Sequence, residues 1–378
     1  MRLTLVIASL GRGGAERTAS VLANAWAAQG DEVTLITLAR DDVPAYTLNG
    51  AIKLRQLRVR SGTAKNIFHG VFRQLRSVRA LQLAIRESEP DVIVSFMDIP
   101  NVLTLFAARG LHAPVVITEH VHPAYYRIGW MWESLRRIVY RRADFLVCVS
   151  KPLMEWFQRN TGTRSCVIPN PLEIPDLQPA HNPPSIKTRH VVVGMGRLVA
   201  QKGFDLLIDA FSRVASQHQD WSLIIMGEGV MHESLRAQSE RLGIDGRVQL
   251  MGAVADPFPV LCAADLFVFS SRFEGFGNAL CEAMACGLPA ISFDCPAGPA
   301  EIIRDGVDGL LVPPEDVAAL AAAMDRLMRN PEERLRLASR APEVMARFGL
   351  KLILELWQQM FAELLPKAPA PAAVRQTQ

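Results

Sequence analysis

The sequence contains no Cys-x-x-Cys pair, although six cysteines are present: Cys148, Cys166, Cys262, Cys281, Cys286 and Cys295. Their spacing excludes a zinc ribbon and a dithiol redox centre, and cysteines set in apolar runs read as small buried hydrophobes of a reducing compartment. No window approaches the roughly 18 consecutive apolar residues of a membrane span. The opening run Leu3–Leu10 is shorter still and leads into glycines rather than a small-residue cleavage site, so it reads as a buried strand, not a signal peptide. Aromatic residues make up only 7% of the chain. Between Lys53 and Arg86, where nine basic residues occur without one acid, the only aromatics are Phe68 and Phe72. A nucleic-acid surface would interleave stacking aromatics with such charges, so no nucleic acid is expected as a partner. A D-x-D pair of carboxylates is also missing, and no metal or other cofactor is expected.

What is present describes a two-domain α/β protein. The length of 378 residues exceeds the roughly 250–300 at which one core stops growing. A hydrophobic content of 49% against 21% charged is enough to fill two cores. The first half alternates short apolar runs with amphipathic helical stretches: Leu3–Leu10, Val33–Leu38, Asp91–Phe96, Val115–Thr118 and Phe145–Val149 read as strands, and 15–29 as a helix. Nearly continuous Val, Ile and Leu runs mean strands buried on both faces, hence a parallel sheet covered by helices. Prolines interrupt all periodicity from Asn170 to Thr188, which places the linker there. The pattern restarts with strands at His190–Met195, Ser222–Met226, Val248–Leu250, Leu266–Phe269 and Ala290–Phe293. The expected domains are therefore 1–168 and 169–345, each doubly wound and Rossmann-like, facing each other through the carboxyl ends of their strands. An amphipathic segment Leu350–Leu365 packs on one of them, and the Pro/Ala-rich 367–378 is expected to be disordered.

Charge is unevenly distributed. Residues 1–170 carry 22 Lys and Arg against 13 Asp and Glu, and the remainder carries 19 against 25. The basic stretch 53–86, on a segment that also bears Ile67, Val71, Leu75 and Leu81, fits an anionic membrane surface, with a solvated helix face as the alternative.

Four loci at expected strand ends carry chemistry. Gly11-Arg-Gly-Gly-Ala-Glu16 lets backbone amides, Gly13 and Gly14 among them, approach a phosphate at a helix start. It is not the dinucleotide fingerprint, whose sixth position is glycine. Gly194-Met-Gly-Arg-Leu-Val-Ala-Gln-Lys-Gly203 puts Arg197 and Lys202 on one short loop, where two cations can clamp a diphosphate and neutralise its charge as it leaves. Glu274-Gly-Phe-Gly-Asn-Ala-Leu-Cys-Glu282 exposes the amides of Gly275, Phe276 and Gly277 ahead of a helix beginning near Asn278, with carboxylates at Glu274 and Glu282. Thr118-Glu-His-Val-His122 offers His120 for a hydrogen bond to a sugar or for proton transfer. Asp98, after Ser95-Phe-Met, is a further acceptor-side candidate.

The order G-R-L-x-x-x-K-G then E-G-F-G-N-A-L-C-E resembles glycosyltransferase family 4, retaining enzymes of the GT-B fold, over nearly the whole chain. The I-P-N-P at 168–171, S-F-M-D at 95–98 and D-C-P-A-G-P-A-E-I-I at 294–303 resemble members that build lipid-linked oligosaccharides and polysaccharides. N-acetylgalactosaminyl transferases acting on undecaprenyl-diphosphate glycans are similar in these respects. The resemblance implies that Arg197 and Lys202 hold the diphosphate of a nucleotide-sugar donor, UDP-linked by preference, and that Glu274 contacts the transferred sugar. It implies that Glu282 binds the ribose, that His120 lines the sugar pocket, and that Gly13 and Gly14 approach the diphosphate or acceptor. A terminal helix, 346–366, is then expected to return to the first domain. The acceptor expected is a polyprenyl diphosphate glycan, at the inner face of the cytoplasmic membrane. A nucleotide-sugar epimerase of the same architecture and a non-catalytic sugar-nucleotide binder are the alternatives, with an oxidoreductase disfavoured by the incomplete glycine fingerprint.

Overall fold

A computed structural model describes residues 1–39, 43–60, 67–175 and 188–365. Most of the linker, the tail 366–378 and residues 61–66 of the basic stretch lie outside the described residues, as do the side chains of 60 and 67–73.

Two parallel sheets organise the molecule, as the apolar runs predict. The first contains β1 (Arg2–Ile7), β2 (Glu32–Ala39), β3 (Lys53–Arg60), β4 (Val92–Phe96), β5 (Val115–Glu119), β6 (Phe145–Cys148) and β7 (Ser165–Val167), ordered β3-β2-β1-β4-β5-β6-β7. The second contains β8 (His190–Met195), β9 (Trp221–Met226), β10 (Val248–Gly252), β11 (Leu266–Phe269), β12 (Ala290–Phe293) and β13 (Gly309–Val312), ordered β10-β9-β8-β11-β12-β13. Central strands are buried along their length, which is why they read as unbroken apolar runs. In each sheet the order reverses next to its first strand, between β1 and β4 and between β8 and β11. Splayed loops at such a reversal leave a crevice at the carboxyl ends of the strands. That crevice is where the glycine-rich turn, Asp98, the Arg197–Lys202 loop and the 274–278 loop all emerge.

The basic stretch begins as the edge strand β3, Lys53–Arg60, and its segment bearing Ile67, Val71, Leu75 and Leu81 is the helix Ile67–Glu87. Lys53, Arg55 and Arg58 of β3 are exposed on an edge, where no second face has to be apolar. After Phe348 the chain recrosses to the first domain beside the outgoing linker. Leu172 N–H donates to Phe348 O at 2.8 Å and Leu350 N–H donates to Leu172 O at 3.1 Å. The helix Leu350–Leu364 then buries Ile353, Trp357, Met360 and Phe361 against the first sheet's core, with the Trp26 and Trp357 ring centroids 5.5 Å apart, edge to face.

Candidate active site

The loop after β8 is shaped by close backbone contact. Gly203 adopts φ 61°, and a Cβ there would lie 2.0 Å from the Ser270 carbonyl oxygen, so the loop can press against the end of β11 only with glycine. That contact brings the β8 and β11 loops together: Lys202 Nζ donates to Glu274 Oε1 at 2.5 Å, with both side chains largely buried, and stands 5.5 Å over the Phe269 ring. Arg197, earlier on the loop, is exposed, and among the described residues no carboxylate pairs with it. One cation is thus fixed and the other is available.

Gly275 carries the loop to the first domain. A Cβ there would fall 1.8 Å from the His120 carbonyl oxygen, so the two backbones touch across the cleft. Gly277 precedes the helix Asn278–Ala285, whose first residue is bound from the other side: Asn170 Nδ2 donates to Asn278 Oδ1 at 2.9 Å, and Asn278 Nδ2 lies 3.5 Å from Gly14 O. Phe276 is buried against Phe348. One turn along the helix, Glu282 is buried and ion-paired with Arg17 of the first domain. Burial pushes the Glu282 carboxyl upward and Arg17 opposes that shift. The first turns of the helices starting at Gly14 and Asn278 therefore touch, with both positive termini beside the crevice.

Arg197, Lys202, Glu274, Gly275, Phe276, Gly277, Asn278, Glu282, Gly13 and Gly14 are brought into one region. His120 sits at its edge with its ring turned inward: it is buried, stacks on Phe96 at 5.9 Å, and its Nε2 lies 3.0 Å from Thr118 Oγ1. Burial holds the imidazole neutral and pushes its pKa down to about 4, against a raising contribution from Asn170. Its backbone, not its ring, faces the 274–278 loop. Asp98 begins the helix Asp98–Ala107, after a Met97 at φ 73°, a strained conformation for a side-chain-bearing residue, and its Oδ1 accepts from the Ile99 N–H at 2.5 Å. Cys281 is buried among core residues, which assigns it to packing.

Three participants escape a sequence reading. Arg17 is one more cation on an amphipathic helix, and only the fold shows its partner. Asn170 sits in a proline-rich stretch that reads as linker. Glu119 ends β5 fully buried, accepting from the Tyr140 hydroxyl; burial first and nearby Asp98 second push its pKa up to about 8, against the pull of Arg136 and Tyr140. The expected consequence is a stability that falls with pH. Below the ordinary carboxylate range the group is neutral in both states, and as pH rises towards 8 the unfolded chain ionises while the folded one resists. Glu119→Gln should flatten the melting temperature between pH 5 and 8; an unchanged slope contradicts this.

Beside the Glu274 loop a groove of about 530 Å³ runs between the domains. Tyr125, Glu155 and Trp156 line one wall and Asp294, Pro296 and Glu301 the other. Tyr125 stacks on Phe273 at 5.7 Å, and Pro296 O accepts from the Glu274 N–H at 3.3 Å, so the groove reaches the carboxylate pocket. Aromatic side chains with a few placed polar groups are the usual lining of a small-molecule site.

Comparison with known proteins agrees with this arrangement. Residues 12–174 match the family model described as Glycosyltransferase Family 4, and 189–330 the one described as Glycosyl transferases group 1. A GalNAc-alpha-(1->4)-GalNAc-alpha-(1->3)-diNAcBac-PP-undecaprenol alpha-1,4-N-acetyl-D-galactosaminyltransferase of Campylobacter jejuni is 28% identical over 96% of this chain and 99% of its own. A lipopolysaccharide core biosynthesis glycosyltransferase, LpsD, of Rhizobium meliloti is 31% identical over 78% and 83%. An exopolysaccharide phosphotransferase of Streptomyces coelicolor is 32% identical over 77% of this chain, which spans only 30% of that protein's length. Among solved structures, sucrose-phosphate synthase of Thermosynechococcus elongatus superposes with TM-score 0.82 at 19% identity, covering 96% of this chain and 99% of that one. Anabaena HepE in complex with UDP superposes with TM-score 0.77 at 21% identity, over 96% and 100%. With two facing parallel-sheet domains, the motifs in order and both halves matched, the chain belongs to glycosyltransferase family 4 and has the GT-B fold.

Proposed function

We propose that the protein transfers a hexose or N-acetylhexosamine from a UDP-sugar to a lipid-linked glycan, with retention of anomeric configuration and without a metal ion. The Arg197–Lys202 loop and the 274–278 loop, joined through the Lys202–Glu274 pair at the second sheet's reversal, carry this reading. As the anomeric carbon–oxygen bond breaks, negative charge grows on the diphosphate, and preorganised cations with a helix terminus stabilise it there. Glu274, oriented by Lys202, accepts hydroxyls of the transferred sugar. Glu282 takes the ribose, exchanging its contact with Arg17. The acceptor hydroxyl attacks on the face the diphosphate leaves, and its proton departs with the diphosphate oxygen. His120 acts by positioning the loop through its backbone, and Asp98 stands on the acceptor side.

UDP as donor draws support from the UDP complex of the HepE neighbour, and a polyprenyl diphosphate acceptor from the undecaprenol glycan in the Campylobacter relative's name. No helix among the described residues is long and apolar enough to cross a membrane, and the basic stretch 53–86 supplies attraction to an anionic cytoplasmic leaflet. Incubating the protein with a panel of nucleotide sugars and membrane-extracted lipid acceptors should add the mass of one sugar to an acceptor glycan. Epimerised donor without any acceptor, or binding with no turnover, contradicts the reading. Because protein cations take the place a divalent ion would fill, activity should persist in excess EDTA; abolition reversed by magnesium or manganese overturns metal independence.

A further inference from the structure

The helix Trp130–Val139 of the first domain packs Trp132, Leu135 and Val139 inward, yet also turns large apolar side chains outward. In Trp130–Val139 the inward side chains include Arg136, which is buried, paired with Glu133 and seated over the rings of Trp156 and Phe157 at 5.5 and 5.4 Å. The outward ones include an indole: Trp130 is 83% exposed, Ile138 63% and Met131 45%, and in the preceding loop Tyr126 is 49% exposed. A helix facing only water would bury the indole and expose the guanidinium. Helical spacing places Trp130, Ser134, Arg137 and Ile138 on one face, and Arg141 continues it. Arg127, Arg137, Arg141 and Arg142 are exposed in the same segment, Arg141 with its Nε donating to Thr161 O at 3.0 Å. The nearby acids are committed elsewhere: Glu133 to Arg136, Asp144 to the Val115 N–H at 2.7 Å and Glu155 to Arg159 at 3.5 Å.

We infer that this face, 126–142, docks on an anionic phospholipid surface, with Trp130, Tyr126 and Ile138 entering the headgroup layer and the four arginines meeting lipid phosphates. Aromatic side chains with one wet edge and guanidinium groups on apolar stems suit that boundary. A second copy of the chain is a poorer occupant, since a symmetric contact would set four guanidiniums against four. Tyr125, adjoining the patch, lines the interdomain groove and stacks on Phe273 next to Glu274, so docking sets the groove mouth at the membrane. The inference rests on the proposal of a lipid-borne acceptor.

Co-sedimentation with vesicles of phosphatidylcholine, with and without phosphatidylglycerol, tests it. Wild type should bind the anionic vesicles, and R137E/R141E should bind at least about 25-fold more weakly, because each arginine near such a surface contributes about a fivefold factor. Trp130→Phe should remove the vesicle-induced blue shift in tryptophan fluorescence while leaving the melting temperature unchanged. If both variants bind as wild type while replacing Arg73, Arg76 and Arg79 abolishes binding, the docking face is the earlier basic segment and the inference fails. A wild-type dimer that R137E/R141E converts to monomer, with vesicle binding intact, makes the occupant a second copy and also overturns it. Transfer to a detergent-solubilised lipid acceptor is read separately: its loss in wild type refutes the proposed function, whereas vesicle results bear only on docking.

Discussion

Arg197→Ala is expected to lower kcat by about 10²–10³ while leaving the melting temperature unchanged. The guanidinium is exposed and unpaired among the described residues, so removing it exposes no partner and opens no cavity. On the proposed mechanism its value lies in the charge that appears when the diphosphate departs. Lys202→Ala should match that kinetic loss and add a structural one, because Glu274, with a side chain only 9% exposed, would be left as a buried carboxylate without its cation. Breaking a buried pair in this way costs about 3 kcal/mol, several degrees in the melting temperature of a domain this size. The pair of variants separates chemistry from folding. Equal destabilisation in both, or an unchanged rate in both, would remove these cations from the assigned roles.

Gly275→Ala should cost about 10²-fold in kcat/KM, since misplacement of a reacting constellation by about an ångström has that effect. The added methyl would stand 1.8 Å from the His120 carbonyl oxygen and 2.5 Å from its carbon. Both are backbone atoms that cannot swing aside, so the 274–278 loop must retreat from the first domain. Because the strain falls between domains, the amides leave the crevice while each sheet stays intact. Gly246→Ala, with no atom within 4 Å of the added carbon, should retain full activity in the same assay. Wild-type rates in Gly275→Ala would mean that closure along this seam is irrelevant to turnover.

The parts of this molecule legible from sequence are those governed by local rules. Unbroken apolar runs gave the central strands, and the helices Gly14–Ala28, Asn278–Ala285 and Leu350–Leu364 fall within a residue of their expected bounds, because glycines or a change of periodicity mark their ends. Strands β3, β7 and β13 escaped: the first is crowded with cations on an edge, the second is three half-buried residues, and the last offers only Leu310, Leu311 and Val312 between a glycine and a proline. Candidate site residues were legible where a charge or a glycine stands at a strand end, as with Arg197, Lys202, Glu274 and the glycines around them. What sequence could not supply is which partner each one meets. That Arg17 reaches Glu282, that Asn170 reaches Asn278 and that the His120 ring turns inward depend on how two sheets face each other, contacts separated by more than a hundred residues in the first two cases. The outward face of the helix at 130–139 was illegible for the opposite reason, since pattern rules place Trp130 and Ile138 inside.

The central claim is that the donor diphosphate rests between Arg197, Lys202 and the amides that begin the helix at Asn278. A crystal structure of the protein with UDP tests it most directly. The account predicts the β-phosphate within hydrogen-bond distance of the Arg197 guanidinium and of a backbone N–H in 275–278, with the ribose at Glu282. A diphosphate held instead by the Gly11–Gly14 turn of the first domain, with Arg197 and the 274–278 loop turned away from it, would contradict the account.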